Sequence, residues 1–420
     1  MVKKIYDWVG GAALDDHTKK KHTILQEYFR KYLITRCKMP QREKFRLVVV
    51  DGFSGAGLYS CGSYGSPLVF VDVLEKTLKS INIDRKEQGM RSIQVECLLV
   101  LNDFDKFAIE QLRKNITPLL VGVEEDNSYL HIEIEYFNDK FDDVYPKIKR
   151  RLESTRCSNV LFNLDQCGHS KVNINIIKNI MQSWKSAEIF LTFPIESILA
   201  FISPDEEKNS VSLTPEIYKE VYALLETGAK KINKESWLGE VERIVFEKLK
   251  GCAPFVSPFS INNPDGWGYW LMHFANSHRA RQVYNDILHA NSLTQAHFGR
   301  SGLSMLSYDP KFEGQLYLFD ESSRISAKGE LYDDIPRLIA ASGDALVMEE
   351  FYKAAYNETP AHSDDIHEMI IENPDVEVIT ESGGGQRRKP NTIKATDVLK
   401  LKSQRSWFSM FSENKKEQKD

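Results

Sequence analysis

Four carboxylates follow strand-like apolar runs in the first half of this sequence. They are Asp51, Asp103, Asp139 and Asp165. In an open α/β sheet the carboxyl ends of parallel strands meet at one edge, and ligands bind in the crevice there. An acidic residue at the end of the second strand accepts hydrogen bonds from ribose hydroxyls, which favours Asp103 as a ribose ligand. Asp139 fits a ligand role but also a turn, because short polar residues commonly follow a strand.

A glycine-rich stretch, DGFSGAGLYSCGSYGSPL, begins at Asp51. Gly52, Gly55 and Gly57 allow a sharp turn and a close ligand approach, because no Cβ blocks the backbone. The spacing fits neither the G-x-G-x-x-G nor the G-x-x-x-x-G-K-[ST] motif. It resembles the D-x-F-x-G-x-G corner of S-adenosylmethionine methyltransferases, in which Phe53 would hold the third position and the loop wraps the methionine end of the cofactor.

Two basic side chains lie near the start of a predicted amphipathic helix, HTKKKHTILQEYFRKYLITRC. Its apolar residues fall on one side at helical spacing. By spacing alone, Lys21 and His22 fit a solvated face. The alternative is that the helix lies over the cofactor or acceptor site and presents both side chains to it as catalytic groups.

Helices and strands alternate around these residues. Short apolar runs predict strands at 47–50, 95–101, 131–136, 159–164 and 189–193, separated by helical patterns. We therefore expect an α/β fold, a Rossmann-like doubly wound sheet with an N-terminal helical arm and a C-terminal winged-helix-like module. The predicted units are an arm at 1–45, a Rossmann-like domain at 46–300 with a helical insertion at about 194–266, a linker at 301–330, the module at 331–411 and a disordered tail at 412–420.

The module ends in a basic tip after three predicted helices and a strand. Arg387, Arg388 and Lys389 follow three glycines and suit contacts with nucleic-acid phosphates. Its presumed recognition helix carries Asp364 and Asp365, which would repel a phosphate backbone. Nucleic-acid contact, docking of a partner protein and simple packing all remain open for this module.

Composition limits the class of protein. The 420 residues carry a formal charge of -5, which excludes a globally basic nucleic-acid binder but leaves room for a basic patch. Six scattered cysteines form no C-x-x-C pair and no metal-ligand cluster, so we expect a reducing compartment and no structural metal. No apolar stretch reaches membrane-spanning length. We expect a cytoplasmic protein without membrane contact.

Five segments together resemble the three-Cys-motif partner proteins, a bacterial family named after the protein encoded beside each member. They are HTKKKHTILQEYFRKYL, DGFSGAGLYSCGSYGSPL, LNDFDKFAIEQLRKN, LFNLDQCG and YWLMHFANSHRARQVYNDIL, in the family's order between about residues 17 and 290. Where the family usually has Asp-Pro-Phe-Gly, this chain has DQCG.

The resemblance implies a fold that binds S-adenosyl-L-methionine and a partnership with the neighbour-encoded three-Cys-motif protein. Asp51 and the loop glycines would hold the methionine moiety, Asp103 the ribose, and Asp165 the acceptor or its proton. Asp139 would flank the adenine. The expected reaction is methyl transfer to a nitrogen on RNA, DNA or a partner protein, with no metal.

Two alternatives stand beside this hypothesis. The chain is a noncatalytic adaptor that retains the fold, which the residues Gln166 and Cys167 in place of the family's usual pair favour. Otherwise it is a nucleic-acid enzyme that binds a metal through Asp51, Asp103 and Asp165.

Overall fold

The computed structural model describes Trp8 and residues 11–166, 172–193, 244–262, 268–291, 295–298, 316–318, 321–359 and 361–402. Most of the predicted insertion at 194–266 and all of the predicted tail at 412–420 lie outside these residues. Cys167 also lies outside them. No helix within the described ranges combines the length and the apolar character needed to cross a bilayer.

Helices and strands alternate through the first part of the chain. The elements are α1 Asp16–Cys37, β1 Lys44–Asp51, α2 Ser66–Glu87, β2 Gln94–Asn102, α3 Lys106–Asp126, β3 Leu130–Phe137, α4 Phe141–Thr155, β4 Asn159–Leu164, α5 Ile174–Ser183 and β5 Ser186–Phe193. After the helical residues 244–250 come β6 Phe255–Asn262, β7 Gly268–Ala275, α6 His278–Ala290, β8 Gln295–Phe298 and β9 Leu316–Leu318.

The large sheet has the strand order β3-β2-β1-β4-β5-β7-β6-β8-β9. Strands β1 to β5 are parallel, and β7 runs antiparallel to β5. The order reverses between β1 and β4, where Asp51 lies opposite Asn163. This reversal is the switch point at which doubly wound sheets bind ligands. The predicted Rossmann-like, methyltransferase-like fold is confirmed.

Apolar clusters cover both faces of the parallel strands. Val49, Leu99 and Leu161 belong to a cluster with residues of α1, α2 and α3. Val50 and Phe162 belong to a second cluster with residues of α4 and α5. Burial on both faces explains why these strands are apolar without alternation in the sequence.

Helix α1, the predicted arm, packs directly on this sheet. The Tyr28 hydroxyl donates to Glu188 Oε2 on β5 at 2.6 Å, and both side chains are buried. Arg36 Nη2 lies 3.6 Å from Glu188 Oε1, and His273 Nε2 lies 3.8 Å from its Oε2. A buried carboxylate needs such partners, so Glu188 fixes where α1 lies on the sheet.

The C-terminal part is a small helical unit with a second sheet. Its elements are α7 Glu321–Ala341, β10 Ala345–Val347, α8 Met348–Ala355, α9 Ser363–Glu372, β11 Val376–Ile379, β12 Gln386–Arg387, a 3-10 turn Pro390–Thr392 and β13 Val398–Leu401. The sheet order is β10-β13-β11-β12. Three helices and a hairpin confirm the winged-helix module. Helix α7 begins at Glu321, well before the predicted start at Ile335 and inside the predicted linker.

Helix α6 joins this module to the large sheet. Arg281 is fully buried, and its guanidinium donates to the carbonyl oxygens of Tyr356 at 2.9 Å and Thr359 at 3.2 Å. Gln282 Nε2 donates to the Tyr356 hydroxyl at 2.8 Å. Burial lowers the pKa of Arg281 to about 9. Breaking this contact would leave a buried cation without its acceptors, so the contact holds the module in place.

Replacing Tyr28 by Phe tests the anchor of α1. The variant leaves Glu188 Oε2 buried without its 2.6 Å donor, so we expect the free energy of unfolding to fall by about 1–3 kcal/mol. Chemical denaturation measures the change. The control is Tyr129→Phe, which alters an exposed residue and should leave stability within about 0.5 kcal/mol. Equal stability of the two variants would contradict the anchor.

Candidate functional site

A glycine turn follows β1 at the switch point. Gly55 and Gly57 have φ angles of +57° and +75°, a region that favours glycine. A Cβ on Gly55 would lie 2.4 Å from Trp8 Cζ2, and one on Gly57 would lie 2.5 Å from Leu112 Cδ1. One on Gly52 would meet side-chain atoms at 2.8 Å. All three predicted loop glycines are therefore required by the protein's own packing, which lets the turn lie tightly on the sheet.

Asp51 ends β1 beneath this turn and is completely buried. Its carboxylate accepts a hydrogen bond from the backbone N–H of Phe53 at 3.3 Å. Oδ2 has no hydrogen-bond partner of ordinary geometry among the described residues, and neither has Nδ2 of Asn163 on the neighbouring strand. Burial raises the pKa of Asp51 to about 7. Unpartnered buried polar atoms are rare, so this pair marks a place suited to a polar ligand group.

Asp103 connects the end of β2 to the glycine turn. Its Oδ2 accepts from the Gly55 backbone N–H at 2.8 Å, and its Oδ1 accepts from the Asp105 N–H at 2.9 Å. Asp105 in turn caps α3 by accepting from the Phe107 N–H at 2.9 Å. Between the two acids lies Phe104, whose side chain is 69% exposed. Asp103 thus holds the turn, and an exposed aromatic ring lies beside it.

Two asparagines that sequence reasoning missed tie the third strand end to this turn. Asn102 Nδ2 donates to the carbonyl oxygens of Gly52 and Asp139, both at 3.1 Å. Asn138 Nδ2 donates to the carbonyl oxygen of Asp103 at 2.9 Å. The carboxylate of Asp139 accepts from the adjacent Lys140 N–H, as in a turn. Asn102 had a visible signal, since it is a polar residue that ends the apolar run VECLLVL.

Lys21 and Asp165 form an ion pair across the end of β4. Lys21 Nζ donates to both carboxylate oxygens of Asp165, at 2.6 Å and 2.7 Å. The two side chains are only 10% and 25% exposed. Burial of the Asp165 carboxyl opposes its ionisation, but the charge and hydrogen bonds of Lys21 hold its pKa below the usual range. The structure therefore places Lys21 in the crevice and not on a solvated face.

His22 lies beside this pair over the glycine turn. Burial lowers its pKa to about 4, so the imidazole is neutral at pH 7. Its ring lies 5.9 Å from that of Tyr59, and the Tyr59 ring lies 5.7 Å from that of Trp8. Sequence reasoning missed both aromatic residues, because nothing in the spacing links residue 8 to the loop. The three rings form an aromatic wall along the turn.

The three aspartates proposed as metal ligands have separate contacts. Asp165 is paired with Lys21, Asp103 accepts from two backbone N–H groups, and Asp51 is buried at the switch point. In the parts of the chain that the structure describes, no three His, Cys, Asp or Glu side chains are grouped as metal ligands. The geometry does not favour a metal-dependent nucleic-acid enzyme.

The basic tip of the module divides into two parts. Arg387 forms a two-point ion pair with the buried Asp397, with Nε–Oδ2 and Nη2–Oδ1 distances of 2.9 Å and 3.1 Å. Its guanidinium therefore has a structural partner. Arg388 and Lys389 are exposed. Of the predicted phosphate contacts, these two are the accessible ones.

The acidic residues of helix α9 pack against α7. Asp365 is buried and accepts from Arg324 Nη2 at 2.7 Å, and Lys328 Nζ lies 3.2 Å from its Oδ1. Lys328 also pairs with Glu368 at 2.7 Å. These cations neutralise most of the negative charge that the sequence assigned to the presumed recognition helix. The exposed Asp364 keeps its charge.

Comparisons with known proteins agree with the module. Residues 307–383 match the family model described as GMT-like wHTH domain, which confirms the winged helix by sequence. Among solved structures, a candidate rRNA methylase from Clostridium thermocellum is 9% identical, covers 63% of this chain and 99% of its own, and has a TM-score of 0.25. A loganic acid methyltransferase solved with SAH is 8% identical, covers 66% and 84%, and has a TM-score of 0.24. None of the curated proteins matches.

The depressed pKa of His22 predicts a pH dependence of stability. The unfolded chain binds the proton near pH 6.5 and the folded chain only near pH 4, so stability falls as pH falls through this window. We expect His22→Gln to remove up to about 3 kcal/mol of that fall. Denaturant unfolding at several pH values measures it. The exposed His131→Gln is the control and should follow the wild type; identical curves for both variants would contradict the burial of His22.

Proposed function

We propose that this protein is an S-adenosyl-L-methionine-dependent methyltransferase. The observation that carries the proposal is the convergence at the switch point of the buried, incompletely paired Asp51 carboxylate, the Asp103-bound glycine turn and the Lys21–Asp165 pair. A cofactor cradle and an ion pair lie side by side there. This arrangement fits a donor and an acceptor bound at adjacent strand ends.

The residues at the switch point fit the cofactor. Asp51 Oδ2 offers an unpaired buried acceptor for the ammonium of the methionine moiety. Asp103 lies where a ribose would bind, and the exposed Phe104 ring offers an apolar face for adenine. When bound, S-adenosylmethionine supplies a methyl group on a sulfonium centre. The chain's own contribution is alignment, and near-attack positioning supplies several kcal/mol of rate enhancement.

The acceptor in this proposal is carried by a nucleic acid, RNA or DNA, or by a partner protein, for which the neighbour-encoded three-Cys-motif protein is the first candidate. The exposed Arg388 and Lys389 support a nucleic acid, since they suit phosphate contacts. Calorimetric titration with S-adenosylmethionine, with NAD and ATP as controls, tests the cofactor. Selective binding is the expected result, and no binding with or without the partner protein would overturn the proposal.

Replacing Asp103 by Ala should weaken cofactor binding. The variant loses ribose hydrogen bonds and the tie to Gly55, so we expect a loss of about 1–3 kcal/mol, measured by calorimetry. Asp105→Ala is the matched control two residues away. It removes only the cap of α3, so its cofactor affinity should equal that of the wild type. An unchanged affinity in a folded Asp103→Ala variant would remove Asp103 from the site.

Exchanging Arg388 and Lys389 for Ala tests the basic tip. If both contact phosphates, the slope of log K against log salt for nucleic-acid binding should become shallower by about 1.5. Fluorescence anisotropy at several salt concentrations measures the slope. Arg387→Ala serves as a contrast, because loss of its pair with Asp397 should lower module stability instead. A slope that stays unaltered in the double variant would place nucleic-acid contacts elsewhere.

A further inference from the structure

The Lys21–Asp165 pair bears on the chemical nature of the methyl acceptor, and this inference rests on the proposed function. A carboxylate at the end of β4 would orient an acceptor amine by accepting its N–H bonds. Here both oxygens of Asp165 already accept from Lys21 Nζ, at 2.6 Å and 2.7 Å. An amine would have to displace a partly buried cation from its counter-ion, which is costly. The geometry therefore disfavours the nitrogen acceptor that the sequence favoured.

We propose that the acceptor is a ribose hydroxyl of RNA and that Lys21, as the free amine, takes the hydroxyl proton. A hydroxyl is a weak nucleophile until it loses its proton, so its methylation needs a base, whereas an amine attacks through an existing lone pair. Asp165 is a poor base, because Lys21 holds its pKa below the usual range. Lys21 is therefore the base that the pair offers.

The reaction balances without another reactant. A bond forms between the hydroxyl oxygen and the methyl carbon, and the sulfur–carbon bond breaks with its electron pair left on sulfur, which becomes a neutral thioether. The hydroxyl proton passes to Lys21 Nζ. The resulting ammonium is the species seen in the ion pair, and it later releases the proton to water. Asp165 attracts the ammonium more than the amine, so its stabilisation grows as the proton moves, as catalysis requires.

The fold fixes Lys21 in place for this role. Asp15 caps α1 by accepting from the Thr18 N–H at 2.9 Å, directly before Lys21. Two turns later, Tyr28 is bound to the buried Glu188. The base is thus attached to a helix that is held on both sides of it, which limits the loss of orientation during proton transfer.

RNA is the acceptor class that the observations favour. A ribose hydroxyl distinguishes RNA from DNA. The winged module adds the exposed cations Arg388 and Lys389, which suit phosphates but offer nothing to an isolated serine or tyrosine hydroxyl. A protein hydroxyl remains as an outcome of the test.

The test uses the full chain with methyl-labelled S-adenosylmethionine and total bacterial RNA, DNA or protein. A 2′-O-methylated ribose blocks alkaline cleavage, so label in alkali-resistant dinucleotides of RNA supports the proposal. Label in methylated bases, DNA or protein, or no label, overturns it. Cofactor binding is measured separately by calorimetry, so that failure of the proposed function is distinguished from failure of this inference alone.

Lys21→Arg separates base catalysis from ion pairing. Arginine keeps the pair with Asp165 but is not deprotonated in proteins, so we expect unchanged cofactor affinity and melting temperature with at least a 100-fold loss of transfer. The exposed Lys31→Arg on the same helix is the control and should behave as wild type. Wild-type transfer should rise about tenfold per pH unit while the free amine is the minor form. Full activity of Lys21→Arg, or a rate independent of pH, would overturn the role of Lys21.

Discussion

The ion pair between Lys21 and Asp165 joins two positions 144 residues apart and depends on almost every other feature of the large domain. Two mostly buried charges are stable only if their geometry is good, since each has lost much of its water. That geometry requires α1 to lie at one position on the sheet. The buried Glu188 provides it, because Tyr28 and Arg36 of α1 both reach this carboxylate on β5. The site is thus defined by helix docking as much as by the strand ends.

The cofactor side of the crevice is built by a different device. Side chains bind the backbone of neighbouring segments: Asp103 accepts from Gly55, and Asn102 donates to Gly52 and Asp139. Each contact replaces a hydrogen bond that an irregular loop would otherwise have to make with water. The loops after β1, β2 and β3 are therefore fixed to one another. A preorganised crevice avoids the entropy cost of ordering these loops when a ligand binds.

The sequence predicted the elements of the sheet well, because continuous apolar runs and glycine turns are local signals. It identified Lys21, Asp103 and Asp165 as candidates, but it could not decide between a solvated face and the crevice for Lys21. That choice depends on the Tyr28–Glu188 contact, which spans 160 residues and has no local pattern. The start of α7 was missed because ESSRISAKGE is polar and contains a glycine. Only the packing of Arg324 on Asp365 shows why it is helical.

Helix α6 gives the two parts of the protein a common wall. One side of it meets α1, where the Tyr284 ring lies 6.1 Å from Tyr28 in an edge-on arrangement. The other side carries Arg281, whose guanidinium binds Tyr356 and Thr359 of the winged module. A cation buried among backbone carbonyls cannot slide without losing its acceptors. The same helix therefore contacts both the helix that carries Lys21 and the module that carries Arg388 and Lys389. A polymer held by the basic tip would reach the crevice along a path that the α6 contacts define.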